Sequence, residues 1–131
     1  YMPEQIKFRG VDKKKFTDGE HTADYLAAEE YKKVRLGRLA LYYKDFWHKC
    51  CVPYDYITRA YKGVSVVTPD DHPAIEYFRL ILQHDGKEFA NIIFGEGDEL
   101  MVDTIVHRIG EIHPDTQLGY AAPEKPAKKA K

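Results

Sequence analysis

The sequence predicts an α+β domain, in which about seven short antiparallel strands are closed by one late helix. Three observations predict it. From Val34 to Phe94 the chain is dense in β-branched and aromatic residues and is cut into short pieces by Gly, Pro and Asp. His84-Asp85-Gly86-Lys87 lies between two apolar runs, where an Asp-Gly pair marks a tight hairpin. After Gly97, Val102, Ile105, Val106, Ile109 and Ile112 recur at helical spacing as one apolar stripe. This order excludes a helix bundle and a doubly wound sheet. An antiparallel sheet must cover its apolar face, and the late helix is the available lid.

The elements follow in chain order. Ile6 and Phe8 alternate in a short extended piece, and the polar, Gly-containing stretch after it is a loop. Thr22 is placed to cap a helix running through residues 24–33, acidic early and basic late as the helix dipole prefers. Residues 34–46 fit two short strands or one strand bent at Gly37, and Lys44–His48 is a turn. The strand through Cys50 and Cys51 ends at Pro53, which has no amide proton to give a ladder. Residues 55–68 continue as strand with Val64 and Val66 on one face, and residues 68–74 form a loop. In the first arm of the Asp-Gly hairpin, Phe78, Leu80 and Leu82 are the wholly apolar set and face the core. Asp98 opens the last helix and Pro114 stops it.

Composition narrows the function classes. At 131 residues with 44% hydrophobic, 13% aromatic and 31% charged residues, the chain suits one globular domain. The last eleven residues carry four lysines against Glu124, so the net charge of −1 divides into +3 for this tail and −4 for the body. A mildly acidic body argues against nucleic acid as a partner. Cys50 and Cys51 are adjacent and point to opposite faces of a strand, so they do not form a disulfide framework, and a cytoplasmic location is expected.

Further likeness lies in three segments. KCCVPYDYITRAYKG, with Pro53, Tyr54 and Ile57, resembles the third-to-fourth strand junction of bacterial pleckstrin-homology-like (PH-like) domains. YFRLILQHDGKEFANIIF resembles their late hairpin, and DELMVDTIVHRIGEIHP their closing helix. The resemblance implies a PH-like open β-barrel or bent sheet of about seven antiparallel strands, capped by a C-terminal α-helix, with Ile57 turned inward. Residues 31–118 would be that domain, residues 1–30 an N-terminal extension with a short helix, and residues 119–131 a disordered tail of Lys, Pro and Ala. Lipid-binding members hold inositol phosphates with basic residues near the first strand pair, where this chain has Lys32, Lys33, Arg35 and Arg38. Basic residues straddle the first hairpin loop in those members, an arrangement this chain departs from.

No catalytic constellation is visible, and no cofactor is implied. His48 and Cys50 would share a strand face, and Asp70, Asp71 and His72 form a loose cluster, but neither set completes a metal site. Gly95-Glu96-Gly97 precedes a helix, yet Glu96 and Asp98 would repel a phosphate. The more suggestive feature is a concentration of rings: Tyr43, Trp47, Tyr54, Tyr56 and Tyr61, with Tyr42 beside them. Several should reach the surface, where Tyr and Trp favour protein contacts. The expectation is a non-enzymatic domain mediating protein contacts, a second copy of the chain being one partner. The alternative is an anionic-lipid or small-molecule module using the four basic residues. Nucleic acid is not expected, and peripheral membrane contact is the less favoured option.

Overall fold

The computed structural model describes residues 4–120 and places ten strands and two α-helices among them. β1 (Lys7–Arg9) and β2 (Lys15–Thr17) form a hairpin, followed by α1 (Gly19–Ala27). Next come β3 (Glu29–Tyr31), β4 (Val34–Leu36), β5 (Ala40–Asp45) and β6 (His48–Pro53). A single 3-10 turn over Tyr54–Tyr56 leads into β7 (Arg59–Val67), β8 (Ile75–His84) and β9 (Lys87–Phe94). The chain then runs through α2 (Glu99–Ile112) and β10 (Gln117–Leu118).

The strands form two sheets rather than one bent sheet of about seven strands, and the sheets do not close into a barrel. Their orders are β2-β1-β6-β5-β4-β3 and β10-β7-β8-β9. The expected strands appear as β1 and β4–β9, while β3 forms on residues expected to be helical, and β3–β9 join antiparallel as four and three. β2 and β10, from toward the two ends of the chain, are also additional. β1 joins β6 in parallel and β10 joins β7 in parallel, so both sheets are mixed. The first thirty residues therefore extend the first sheet.

The first helix is earlier and shorter than expected. Asp18, in extended conformation, is its cap and accepts a hydrogen bond from His21 N at 2.9 Å. Thr22 lies within the helix, buried, where its Oγ1 accepts from Ile6 N at 3.1 Å. Residues 29–36 instead make a hairpin, with Tyr31 opposite Val34 and Lys32 in the left-handed region at φ 55°. Strand pairing overrides the helix propensity of the Glu-Glu-Tyr-Lys-Lys run here.

Two cores explain the burial pattern. Val34, Leu36, Leu41 and Val52 of the first sheet meet Phe78, Leu80, Leu82, Ile92 and Phe94 of the second. Into the same cluster α2 lays Val102, Ile105 and Ile109, all fully buried, and Ile57 joins them. On the outer face of the first sheet, α1 covers Phe8, Ala40, Tyr42 and Cys51 with the help of Tyr25. Because that sheet is covered on both faces, Cys50 and Cys51 are both buried while pointing opposite ways. Val64 and Val66 share one face as alternation requires, and both are exposed.

Ion pairs fasten the lid. Arg108 of α2 donates from Nε to Glu29 at 3.0 Å and also binds Glu111 at 2.7 Å. Lys62 reaches Glu99 at 2.6 Å, and Lys32 reaches Asp98 at 2.7 Å. The expected tail begins two residues late: Gly119 N donates to Ala60 O at 3.0 Å, and the Tyr120 ring packs 5.3 Å from that of Tyr61. Residues 121–131, the rest of that tail, lie outside the described residues.

Candidate binding surfaces

The structure brings Lys32, Lys33 and Arg35 to one hollow and sets Arg38 apart from them. Lys32 is occupied by Asp98, whose carboxylate it holds below the ordinary range together with the Gly95 amide. Arg35 donates to Tyr25 O at 3.0 Å, lies 4.3 Å from the centre of the Tyr25 ring, and neighbours Glu30 at 3.6 Å. Arg38 sits in the β4–β5 turn on the far side of α1, where its backbone N donates to Asp24 at 2.7 Å. That turn needs Gly37, since a Cβ there would meet Asp24 Oδ2 at 2.0 Å. Of the four, Lys33 and Arg38 are exposed with no carboxylate partner for the side chain among the described residues, Asp24 holding only the Arg38 backbone.

Register brings in two residues that the basic quartet omits. Asp45 pairs with His48 across the two-residue turn Phe46-Trp47, so Lys44 and Lys49 stand directly opposite. Like charges in that position oppose pairing. With Lys32, Lys33 and Arg35 they line a hollow of about 210 Å³ beside Tyr25 and Tyr42.

The aromatic set also divides. Tyr54 is buried, pressed into the core by the 3-10 turn after Pro53, and its hydroxyl donates to Gly37 O at 2.6 Å. Burial raises its pKa above the ordinary value. Tyr61 is buried under Tyr120, and Tyr42 is buried under α1. Tyr56 is half-buried, stacked 3.8 Å from His84, whose Nδ1–H donates to Tyr56 O at 2.8 Å. Tyr43 is half-buried beneath a groove. Of the five named rings only Trp47 stands out in solvent, 80% exposed, and its neighbour Phe46, missed by sequence reasoning, is 81% exposed. Phe46 has φ 57°, a left-handed conformation that bulky residues rarely take.

A groove of about 640 Å³ separates the end of β5 from β9, lined by Lys33, Tyr43, Phe46, Phe89 and Ile93. A neighbouring hollow of about 420 Å³ shares Tyr43, Asp45 and Phe89 with it. β9 forms one wall and is an edge strand of eight residues with Ile93 48% exposed. The other edge strands are short: β2 and β3 have three residues each, and β10 has two and covers only Arg59 and Ala60 of β7. Asp45 in this groove is neutralised by Arg9 at 2.7 Å.

Both cysteines are buried. Burial pushes the Cys51 thiol up to about 12, far from a reactive thiolate. Cys50 Sγ accepts from Arg9 at 3.4 Å. His72 binds Asp70 O in an exposed loop, and no three metal-ligating side chains converge among the described residues. No helix among them is long and apolar enough to cross a membrane. No family model matches the chain, and comparisons with curated proteins and with solved structures give no match.

Proposed function

We propose that the protein is a non-enzymatic PH-like binding domain that mediates protein contacts by accepting a strand along β9, a second copy of the chain being its partner. The observation that carries this reading is the length of the free edge. Sheet proteins blunt their edges with short strands, charges or covers, and the other three edge strands have three residues or fewer, although β10 covers only Arg59 and Ala60 of the nine-residue β7. β9 runs for eight, beside a groove deep enough for side chains of an added strand. The PH-like part of the reading is supported by the run of β3–β9, four strands and then three, followed by α2.

Light scattering after size-exclusion chromatography, over a range of micromolar concentrations, tests the reading. A dimer is expected, and Ile93→Lys, which puts a charge on the edge without touching the core, should return it to monomer. A wild-type chain that remains monomeric throughout contradicts the reading.

A second reading, an anion-binding module, is favoured by the opposed Lys44 and Lys49. Two cations placed face to face are tolerated more easily when an anion visits them.

A further inference from the structure

The β5–β6 hairpin tip is the least economical part of the surface. Phe46 and Trp47 are both about four-fifths exposed, and their ring centres lie 6.0 Å apart, so each ring leans on the other rather than on the body. Turn chemistry does not require them. Phe46 occupies a left-handed position for which Gly or Asn is suited. Lysines surround the pair. Lys7, Lys15 and Lys49 line the hollow beside Trp47, and Lys33 and Lys44 line the groove beside Phe46. Among the described residues none of these five ammonium groups has a carboxylate partner; the nearby Asp45 is taken by Arg9. The tip is thus a convex apolar point inside a ring of free positive charge, on a body whose overall charge is negative.

We infer that this tip docks on an anionic lipid surface, with Phe46 and Trp47 entering the interfacial layer and the lysine ring resting on acidic headgroups. The inference rests on the anion-binding reading and names its ligand. Charge complementarity selects the occupant. Aromatic side chains, tryptophan above all, favour the layer between headgroups and acyl chains. Neither the rings nor the lysines alone would hold the chain, because stable peripheral attachment takes an apolar and an electrostatic contribution together. The site differs from one built on the first strand pair: Arg35 and Arg38 take no part, and the surface is read through its charge density rather than one headgroup.

The chain carries a single tryptophan, so the tip reports on itself. Tryptophan emission and vesicle co-sedimentation are measured with phosphatidylcholine vesicles with and without phosphatidylserine, at low and high salt. Expected are a blue shift and protection from acrylamide only with phosphatidylserine, quenching by lipid brominated on its acyl chains, and loss of binding at high salt. Each of Lys44→Gln and Lys49→Gln should weaken binding by roughly five-fold, and Phe46→Ser by about ten-fold or more, with far-UV circular dichroism unchanged. A tip that shows no shift and no sedimentation with acidic vesicles overturns the inference. So does a blue shift that appears with protein concentration alone, which would place a second copy on the tip. Inorganic phosphate titrated by NMR separates the two readings. Shifts at the Lys44 and Lys49 amides without vesicle binding keep the anion reading and overturn this one.

Discussion

The seam between α2 and the two sheets and the tip of the β5–β6 hairpin are built by opposite rules. Along the seam the cations are paired: Arg108 of α2 with Glu29 and Glu111, Lys62 of β7 with Glu99, and Lys32 with Asp98 just before α2. Beneath them Val102, Ile105 and Ile109 of the apolar stripe are fully buried, and Val106 and Ile112 are half-buried. At the tip five lysines have no acidic partner among the described residues, and the two rings there, Phe46 and Trp47, are about four-fifths exposed. The contrast assigns stability to one region and, in the reading proposed above, binding to the other. A surface selected only for folding has no reason to oppose Lys44 to Lys49 or to hold a phenylalanine in a left-handed turn.

The sharpest way to break the comparison is at Ile105. Ile105→Asp places an unpaired charge at a fully buried position under the lid and should cost more than ~4 kcal/mol, enough to unfold the domain. Retention of native circular dichroism and melting temperature would show that α2 is not seated as described. Asp24→Ala comes next. That carboxylate accepts from Arg38 N at 2.7 Å, Leu39 N at 3.1 Å and Tyr42 Oη at 2.8 Å, tying α1 to the β4–β5 turn. Its loss should cost about 2–3 kcal/mol in denaturant unfolding, and an unchanged midpoint would remove α1 from the account. Arg108→Ala should cost less, about 0.5–1 kcal/mol, because its pairs remain partly open to water.

Acid should act on the seam rather than the tip. Glu29 and Glu111 are held below the ordinary 4.5 by Arg108, and Asp98 is held below 3.8, first by Lys32. A lowered folded pKa adds stability that is complete above the unfolded value and fades as pH falls through the folded one. The melting temperature should therefore be flat above pH 4.5 and decline below 3.8, as followed by circular dichroism. A decline already complete at higher pH would assign the acid sensitivity to other groups.

What the sequence revealed was what local chemistry decides. The Asp85-Gly86 turn is readable because both residues take positive φ, 50° and 83°, and those residue types tolerate it. The last helix is readable because its stripe is regular and its end marked by Pro114. The first helix was misplaced because Asp18 and Thr22 are both competent caps, and the choice falls to the pairing of Glu29–Tyr31 with Val34–Leu36. Which rings reach solvent was hidden for a similar reason. Tyr42, Tyr54 and Tyr61 are covered by segments distant in sequence, whereas among the described residues no such segment covers Phe46 and Trp47. The Lys44–Lys49 opposition did leave a signal. A two-residue turn at Phe46-Trp47 fixes Lys44 against Lys49 by counting alone.

Thermal melting of the double variant Phe46→Asn, Trp47→Ser tests the division most directly. Asparagine accepts the left-handed position more readily than phenylalanine, and neither ring supports the body. The variant should melt at or slightly above the wild-type temperature. A fall of more than about 5 °C, on the order of 1 kcal/mol for a domain of this size, would mean the tip carries the fold and contradict the account.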